Sequence, residues 1–145
     1  MSPLDAAVVR RKLQRIRANA ESLERIAGTL TGTQYAGDEV ARRATERLLQ
    51  EAIDAAVDVN MHMLRGLGRP VPEDYFRSFT ALGDAGVLDE ALARRLAPAA
   101  GLRNRIVHGY EELNDAVVLE AARAAPRQFG AYVGAVERYL EREGL

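Results

Sequence analysis

The sequence predicts an all-α fold, an up-and-down antiparallel helical bundle that forms one domain over residues 1–145. Apolar residues recur at intervals of three and four, and helix start and stop signals punctuate the chain. No stretch alternates apolar and polar residues as a half-buried strand would. With 145 residues, 48% of them hydrophobic and 28% charged, the chain can bury one hydrophobic core.

A first long helix is expected close to the N-terminus. Ser2 is predicted to be its N-cap, with Pro3 at the first helical position and Asp5 in the first turn. The apolar positions expected to face the core are Leu4, Val8, Leu13, Ile16, Leu23 and Ile26.

A second long helix is expected after a loop at residues 28–37, which holds glycines and small polar residues. Asp38 is its predicted N-cap, and the helix should run to about Arg65. Its apolar positions cover more than one narrow stripe, which is typical of a central helix packed on several sides. The signals that end it are Gly66, Gly68, Pro70 and Pro72.

The second half of the chain predicts shorter helices and one final long helix. A short helix is expected over residues 73–82, and Asp89 is the predicted N-cap of the next. Pro98 should bend or restart that helix because it lacks a backbone donor. The last helix should begin near residues 114–115 and be kinked at Pro126. The expected buried anchors of the short helix are Tyr75, Phe76 and Phe79.

Charge and cysteine content narrow the possible functions. Twenty basic residues against 21 acidic residues leave a formal charge of −1, unlike most proteins that grip long nucleic acids. An enzyme that acts on one RNA phosphodiester remains compatible with this balance. The absence of cysteine excludes disulfides, thiolate catalysis and cysteine-ligated metals. The N-terminus has no signal-peptide pattern and no apolar run approaches the roughly 20 residues needed to span a bilayer, so we expect a cytoplasmic protein without a membrane partner.

The segment from residue 103 to residue 110, RNRIVHGY, concentrates the polar residues that carry chemistry. Residues four apart on a helix share a face, so Asn104 and His108 should point the same way. Arg103 and His108 are five residues apart and should diverge by about 140°. Tyr110 returns to the Arg103 side only if the helix continues through Gly109. Two copies that face each other across a two-fold axis would bring both Arg–His pairs into one cleft, so the spacing predicts a homodimer.

The three residue types are chemically sufficient for a metal-independent ribonuclease. His108 can transfer protons near neutral pH. Arg103 offers a permanent planar cation that matches phosphate oxygens, and Asn104 can orient the imidazole or contact the phosphate. The alternative is structural: Arg103 would pair with an acid on the second helix, and His108 would be an ordinary bundle histidine.

The segment from Leu102 to Tyr110 closely resembles the RN-x-x-x-H-x-Y signature of HepT-like HEPN proteins. Other parts of the chain resemble the family in the same order, namely Glu46–Asp54, Asp58, His62, Gly68, Pro70, Pro72, Tyr75, Phe79, Leu82, Gly86–Leu88 and Ala99–Leu102. The resemblance implies a HEPN homodimer with a ribonuclease cleft at the subunit interface and no cofactor. It also implies a toxin of a type VII-like toxin–antitoxin pair, whose substrate is an RNA of the tRNA or mRNA class.

The resemblance further implies control at the motif tyrosine. An MntA-like nucleotidyltransferase antitoxin would transfer AMP to Tyr110, adding bulk and negative charge beside His108. Without the resemblance, Tyr110 is more readily interpreted as a ring that caps the bundle with its hydroxyl in water. The family often has an aspartate shortly after the tyrosine, whereas here Glu111, Glu112 and Asn114 precede Asp115.

Asp54, Asp58 and His62 form a slowly drifting stripe on the second helix. Two carboxylates and an imidazole can ligate a divalent metal, although a full site would need ligands from another helix. We favour the other interpretation, without a metal, in which Asp54 or Asp58 orients Arg103 or the neighbouring Arg105 by charge-assisted hydrogen bonds.

Two functions therefore compete. The first is an RNA-cleaving toxin that uses Arg103, Asn104 and His108. The second is a non-catalytic HEPN module that docks on a nucleotidyltransferase and holds a nucleotide. A purely structural bundle would not explain why this polar cluster lies beside an otherwise apolar helix.

Overall fold

The structure is a computed structural model that describes residues 4–109 and 113–145. Within these two ranges every regular element is an α-helix, which confirms the all-α prediction. The helices are α1 Ala6–Ala27, α2 Gly32–Ala36, α3 Glu39–Gly66, α4 Tyr75–Asp84, α5 Glu90–Leu96, α6 Ala99–His108 and α7 Asp115–Arg142.

The three long helices α1, α3 and α7 form the body of the bundle. Lys12 of α1 pairs with Asp58 of α3, and Asn19 reaches the Leu48 carbonyl oxygen, so the two helices run antiparallel. At the other end of α1, Arg123 of α7 donates to the carbonyl oxygens of residues 27 and 30. These contacts place α1 antiparallel to both partners, as expected for an up-and-down bundle.

Most helix boundaries follow their predicted local signals. The side chains of Asp38 and Asp89 accept hydrogen bonds from backbone N–H groups in the first turns of α3 and α5, which confirms both as N-caps. Helix α7 begins at Asp115, as predicted, and the Asn114 side chain caps it in the same way. The start of α1 differs from the prediction. Asp5 is itself the N-cap, accepting from the N–H groups of Ala7 and Val8, and is not a first-turn residue. Ser2 and Pro3, the predicted cap and first helical residue, lie outside the described residues.

The predicted loop at residues 28–37 contains a short helix, α2. Thr31 and Gln34 form a capping box at its start, each side chain binding the other residue's backbone N–H group. Tyr35 then enters the core and is completely buried. The loop prediction was wrong for residues 32–36. The glycines on both sides of this segment indicate a loop, but the buried Tyr35 ring holds the short helix against the core.

Helix α4 begins two residues later than predicted, with Asp74 as its N-cap. Of the three expected anchors, Phe79 is fully buried and Tyr75 is partly buried, but Phe76 is exposed, so its assignment as an anchor was wrong. Phe76 directly follows Tyr75 and lies about 100° around the helix from it, on the solvent side. Helix α5 ends before Pro98, and α6 starts immediately after it, as predicted; α7 runs through Pro126 as one helix.

A buried polar network joins α3, α4 and α7 at the centre of the bundle. The Tyr132 hydroxyl lies 2.5 Å from Asn60 Oδ1 and 3.0 Å from the Ala56 carbonyl oxygen. The Asn60 amide donates to Ser78 Oγ at 3.1 Å, and the Ser78 hydroxyl donates to the Tyr75 carbonyl oxygen at 2.7 Å. Because all these groups find partners, the network fixes the position of α4 against α3 at little energetic cost.

Across the described stretches of chain, no helix is both long enough and apolar enough to cross a bilayer.

Candidate active site

The polar motif lies on α6, a short helix whose last residue is the motif histidine. Helix α6 runs from Ala99 to His108, and Gly109 follows as a left-handed C-cap with φ of 56°. The Gly109 N–H group donates to the Arg105 carbonyl oxygen at 3.2 Å and closes the last turn. Since the helix does not continue through Gly109, helical periodicity no longer places Tyr110 on the Arg103 side. Tyr110, the predicted AMP acceptor, lies outside the described residues.

Arg103 is the best-held charged group of the motif. Its Nε–H donates to Asp54 Oδ1 at 2.7 Å, and the side chains of the pair are only 18% and 33% exposed. The guanidinium carbon lies 4.9 Å from the centre of the Tyr75 ring, which is a cation–π distance. One Nη1–H also reaches Asn104 Oδ1 at 3.4 Å. Three helices, α3, α4 and α6, thus meet around one guanidinium.

These contacts leave hydrogen-bonding capacity on Arg103 for an anion. A guanidinium carries five N–H donors, and the contacts with described residues engage Nε–H and one Nη1–H. The remaining donors belong to the terminal nitrogens, which form the fork that matches phosphate oxygens. Arg103 can therefore present a fixed positive charge to a phosphate group while its contacts with Asp54 and Tyr75 remain in place.

His108 lies at the C-terminal end of α6, five residues after Arg103. It is the last residue of the helix and is exposed to solvent, as is Asn104 four residues earlier. The shared face of Asn104 and His108 that helical spacing predicts thus faces outward, whereas Arg103 is turned towards α3 and α4. Within one chain Arg103 therefore contacts Asn104 and faces α3 and α4, whereas His108 lies at the exposed end of the helix.

The acidic stripe of α3 separates into individual contacts. Asp54 binds Arg103, whereas Asp58 pairs with Lys12 of α1 at 3.2 Å and is largely exposed. His62 Nε2 accepts the N–H of Asp5 at 3.1 Å, one of the contacts that seat α1. No group of three metal-binding side chains occurs in residues 4–109 and 113–145, so the stripe is not a preformed metal centre there.

Tyr75 is the contact that sequence reasoning missed. It was expected only as an apolar anchor of α4, but its ring packs against the Arg103 guanidinium. No local pattern points to this pairing, because Tyr75 and Arg103 come from different helices. The one available signal was the position of an aromatic residue in the first turn of a helix, after an aspartate cap.

A second electrostatic feature lies where α3 approaches the start of α7. Burial raises the pKa of Glu46 above its usual 4.5, and the neighbouring carboxylate of Asp115 raises it further. Burial, followed by the charge of Glu46, also raises the pKa of Tyr35 to about 12. The carboxylates of Glu46 and Asp115 therefore lie close to each other, about two turns of α3 before Asp54.

The chain belongs to the HepT-like family. The model of the family described as "Ribonuclease HepT-like" matches residues 16–141. A relative named tRNA nuclease HepT, from Aphanizomenon flos-aquae, is 31% identical over 140 residues, covering 97% of this chain and 95% of the relative. A protein named mRNA nuclease HepT, from Shewanella oneidensis, is 24% identical over 130 residues, covering 90% of this chain and 96% of that protein.

Solved structures share the fold. A tri-AMPylated Shewanella oneidensis HEPN toxin in complex with an MNT antitoxin superposes with a TM-score of 0.82 at 24% identity, covering 90% of this chain and 97% of that one. The cytosolic protein YutE of Bacillus subtilis, of unknown function, gives a TM-score of 0.84 at 19% identity, covering 99% of this chain and 95% of that one. The helical arrangement described above is therefore that of HEPN toxins.

Proposed function

We propose that this protein is a metal-independent endoribonuclease toxin whose active site combines Arg103 and His108 at the interface of a homodimer. The observation that carries the proposal is the state of Arg103. Asp54 binds its Nε–H and the Tyr75 ring packs on the guanidinium, yet terminal N–H groups other than the one that reaches Asn104 can bind an anion. Membership of the HepT-like family and two relatives named as RNA nucleases support an RNA phosphodiester as this anion.

The reaction uses the chain's own residues. An imidazole takes the proton of the ribose 2′-hydroxyl, whose oxygen then attacks the adjacent phosphorus. The guanidinium of Arg103 stabilises the negative charge that builds on the phosphorane oxygens. The bond to the 5′-oxygen breaks, an imidazolium donates the proton that this oxygen needs, and a 2′,3′-cyclic phosphate remains. Asn104 contacts the phosphate or orients the ring of His108.

The division of the motif supports a homodimer. Arg103 is held by Asp54, whereas His108 is exposed at the C-terminal end of α6 and is five residues away, about 140° around the helix from Arg103. A two-fold axis near α6 would set each Arg103 against the partner copy's motif and supply two imidazoles, one as base and one as acid. Val107 of α6 and Val117 of α7 are exposed apolar side chains of the kind that such an interface would cover.

The test is RNA cleavage by purified protein in the presence of a chelator, with tRNA and a model mRNA as substrates. We expect fragments that end in 2′,3′-cyclic phosphate. His108→Ala should abolish cleavage and Arg103→Ala should reduce it to a small residual rate, while His62→Ala should retain it, because the chain's other histidine binds the Asp5 backbone. Cleavage that persists in His108→Ala, or that requires a divalent metal, would contradict the proposal. Intact RNA combined with tight binding of a nucleotidyltransferase would favour the non-catalytic docking module.

Regulation is proposed at Tyr110. An MntA-like nucleotidyltransferase would remove the phenol proton, and the phenolate oxygen would attack the α-phosphorus of ATP with release of pyrophosphate. The attached AMP would place negative charge beside His108 and repel the substrate phosphate. Co-expression with the transferase should raise the intact mass by AMP units and suppress cleavage. Tyr110→Phe should gain no such mass at this position, whereas Tyr139→Phe, a tyrosine near the end of α7, should be modified like wild type.

A further inference from the structure

Arg103 is clamped between a carboxylate and an aromatic ring. Asp54 of α3 binds its Nε–H, and Tyr75 of α4 lies 4.9 Å from the guanidinium carbon. An aromatic face attracts a cation most when water is largely excluded, and the Arg103 side chain is only 18% exposed. The two contacts leave the guanidinium little freedom to rotate about its long stem.

The aromatic side of this clamp is itself rigidly mounted. The carbonyl oxygen of Tyr75 accepts a hydrogen bond from the Ser78 hydroxyl, and Ser78 accepts one from the amide of Asn60. Asn60 and Ser78 are both fully buried, and Asn60 also contacts Tyr132 of α7. The first turn of α4 is thereby tied to the central helix α3, on which Asp54 also stands.

We infer that Tyr75 is a positioning residue that holds the Arg103 guanidinium in the orientation needed to meet a phosphate, with the buried Asn60–Ser78 contact as its support. This inference rests on the proposed ribonuclease function. Tyr75 acts through its ring face and does not contact the substrate. Its phenol oxygen is dispensable for this role, which separates it chemically from the AMP acceptor proposed at Tyr110.

The experiment compares Tyr75→Phe with Tyr75→Leu. Phenylalanine keeps the ring face, so kcat should stay within about twofold of wild type. Leucine removes the cation–π contact, so it should lower kcat about tenfold with a smaller change in KM. Tyr139→Leu is the matched control, because Tyr139 stacks on Arg142 at 5.7 Å, away from α6. Circular dichroism and thermal melting identify any variant that fails to fold.

A double-mutant cycle tests whether the effect passes through Arg103. In an Arg103→Ala background, Tyr75→Leu should change the residual kcat by less than about twofold, because the two residues act as a unit. Additive losses, or equal losses in the Phe and Leu variants, would overturn the inference.

A second readout does not depend on cleavage. The Nε–H resonance of Arg103, assigned by its disappearance in Arg103→Ala, should shift strongly in Tyr75→Leu, only slightly in Tyr75→Phe and not in Tyr139→Leu. An unshifted resonance in Tyr75→Leu would refute the positioning role. If the shifts occur but wild-type protein cleaves no RNA, the clamp stands and the proposed function fails.

Discussion

Removing the carboxylate of Asp54 should both destabilise the protein and lower RNA cleavage, because Arg103 loses the group that holds it. In Asp54→Ala the guanidinium stays partly buried but loses its charge-assisted hydrogen bond of 2.7 Å. Breaking a fully buried ion pair costs about 3–5 kcal/mol, and losing an exposed pair costs about 0–1 kcal/mol. Because the side chains of this pair are 18% and 33% exposed, we expect an intermediate cost of about 2 kcal/mol.

The chain contains a matched control four residues further along the same helix. Asp58 pairs with Lys12 at 3.2 Å, but these side chains are 61% and 38% exposed. Solvent and salt screen such a pair, so Asp58→Ala should cost no more than about 0.5 kcal/mol. Both variants remove a carboxylate from α3, and the two ion pairs differ chiefly in how far both partners are buried.

The assay is thermal unfolding at one fixed protein concentration, since dimerisation would make the midpoint concentration-dependent. For a chain of this length 1 kcal/mol corresponds to about 3–4 °C, so Asp54→Ala should melt about 7 °C lower and Asp58→Ala less than about 2 °C lower. RNA cleavage should fall sharply in Asp54→Ala alone. Equal melting shifts in the two variants, or unchanged cleavage in Asp54→Ala, would refute the role assigned to this pair.

Three further changes test other parts of the structure. Tyr132→Phe leaves buried Asn60 Oδ1 without its hydroxyl partner and should cost about 1–3 kcal/mol in urea unfolding, whereas a variant as stable as wild type would show that the contact contributes nothing. Gly109→Ala places a side chain at φ of 56° and should cost about 1–2 kcal/mol by the same assay, while Gly101→Ala inside α6 should be neutral or stabilising. Because the pKa of Glu46 is raised, the folded state binds the proton of this carboxyl group more tightly than the unfolded state does. The wild-type protein should therefore lose stability relative to Glu46→Gln as the pH rises through and above 4.5. A stability difference that does not change with pH would contradict this prediction.

Features set by neighbouring residues were predictable from the sequence. Asp38, Asp89 and Asn114 cap helices because their short side chains reach backbone N–H groups two or three residues ahead, and Pro98 separates two helices because of its own ring. The fate of Phe76 was not predictable in this way. Because Asp74 caps α4, residue 75 faces the bundle and residue 76 faces solvent. A cluster of apolar residues in the sequence does not show which of them will lie on the buried face of the helix.

The sequence could not show which of the two acids, Asp54 or Asp58, binds Arg103. The two acids are one helical turn apart on the same face, so periodicity assigns both to Arg103 equally well. The choice between them is made by α1, which brings Lys12 to Asp58, and by α6, which brings Arg103 to Asp54. Both are contacts between residues more than 40 positions apart, and no local rule contains them.

The same tertiary contact is the reason that we propose an active site shared with a second copy of the chain. An arginine on an unsupported helix could swing its long side chain around the cylinder towards His108, because a surface rotamer costs little to change. Here Asp54 and Tyr75 hold the guanidinium on the inner side of α6, and the helix ends at His108 on the outer side. Weakening the clamp would therefore free Arg103 without completing the site, which is why we expect Asp54→Ala and Tyr75→Leu to lower activity and not to raise it.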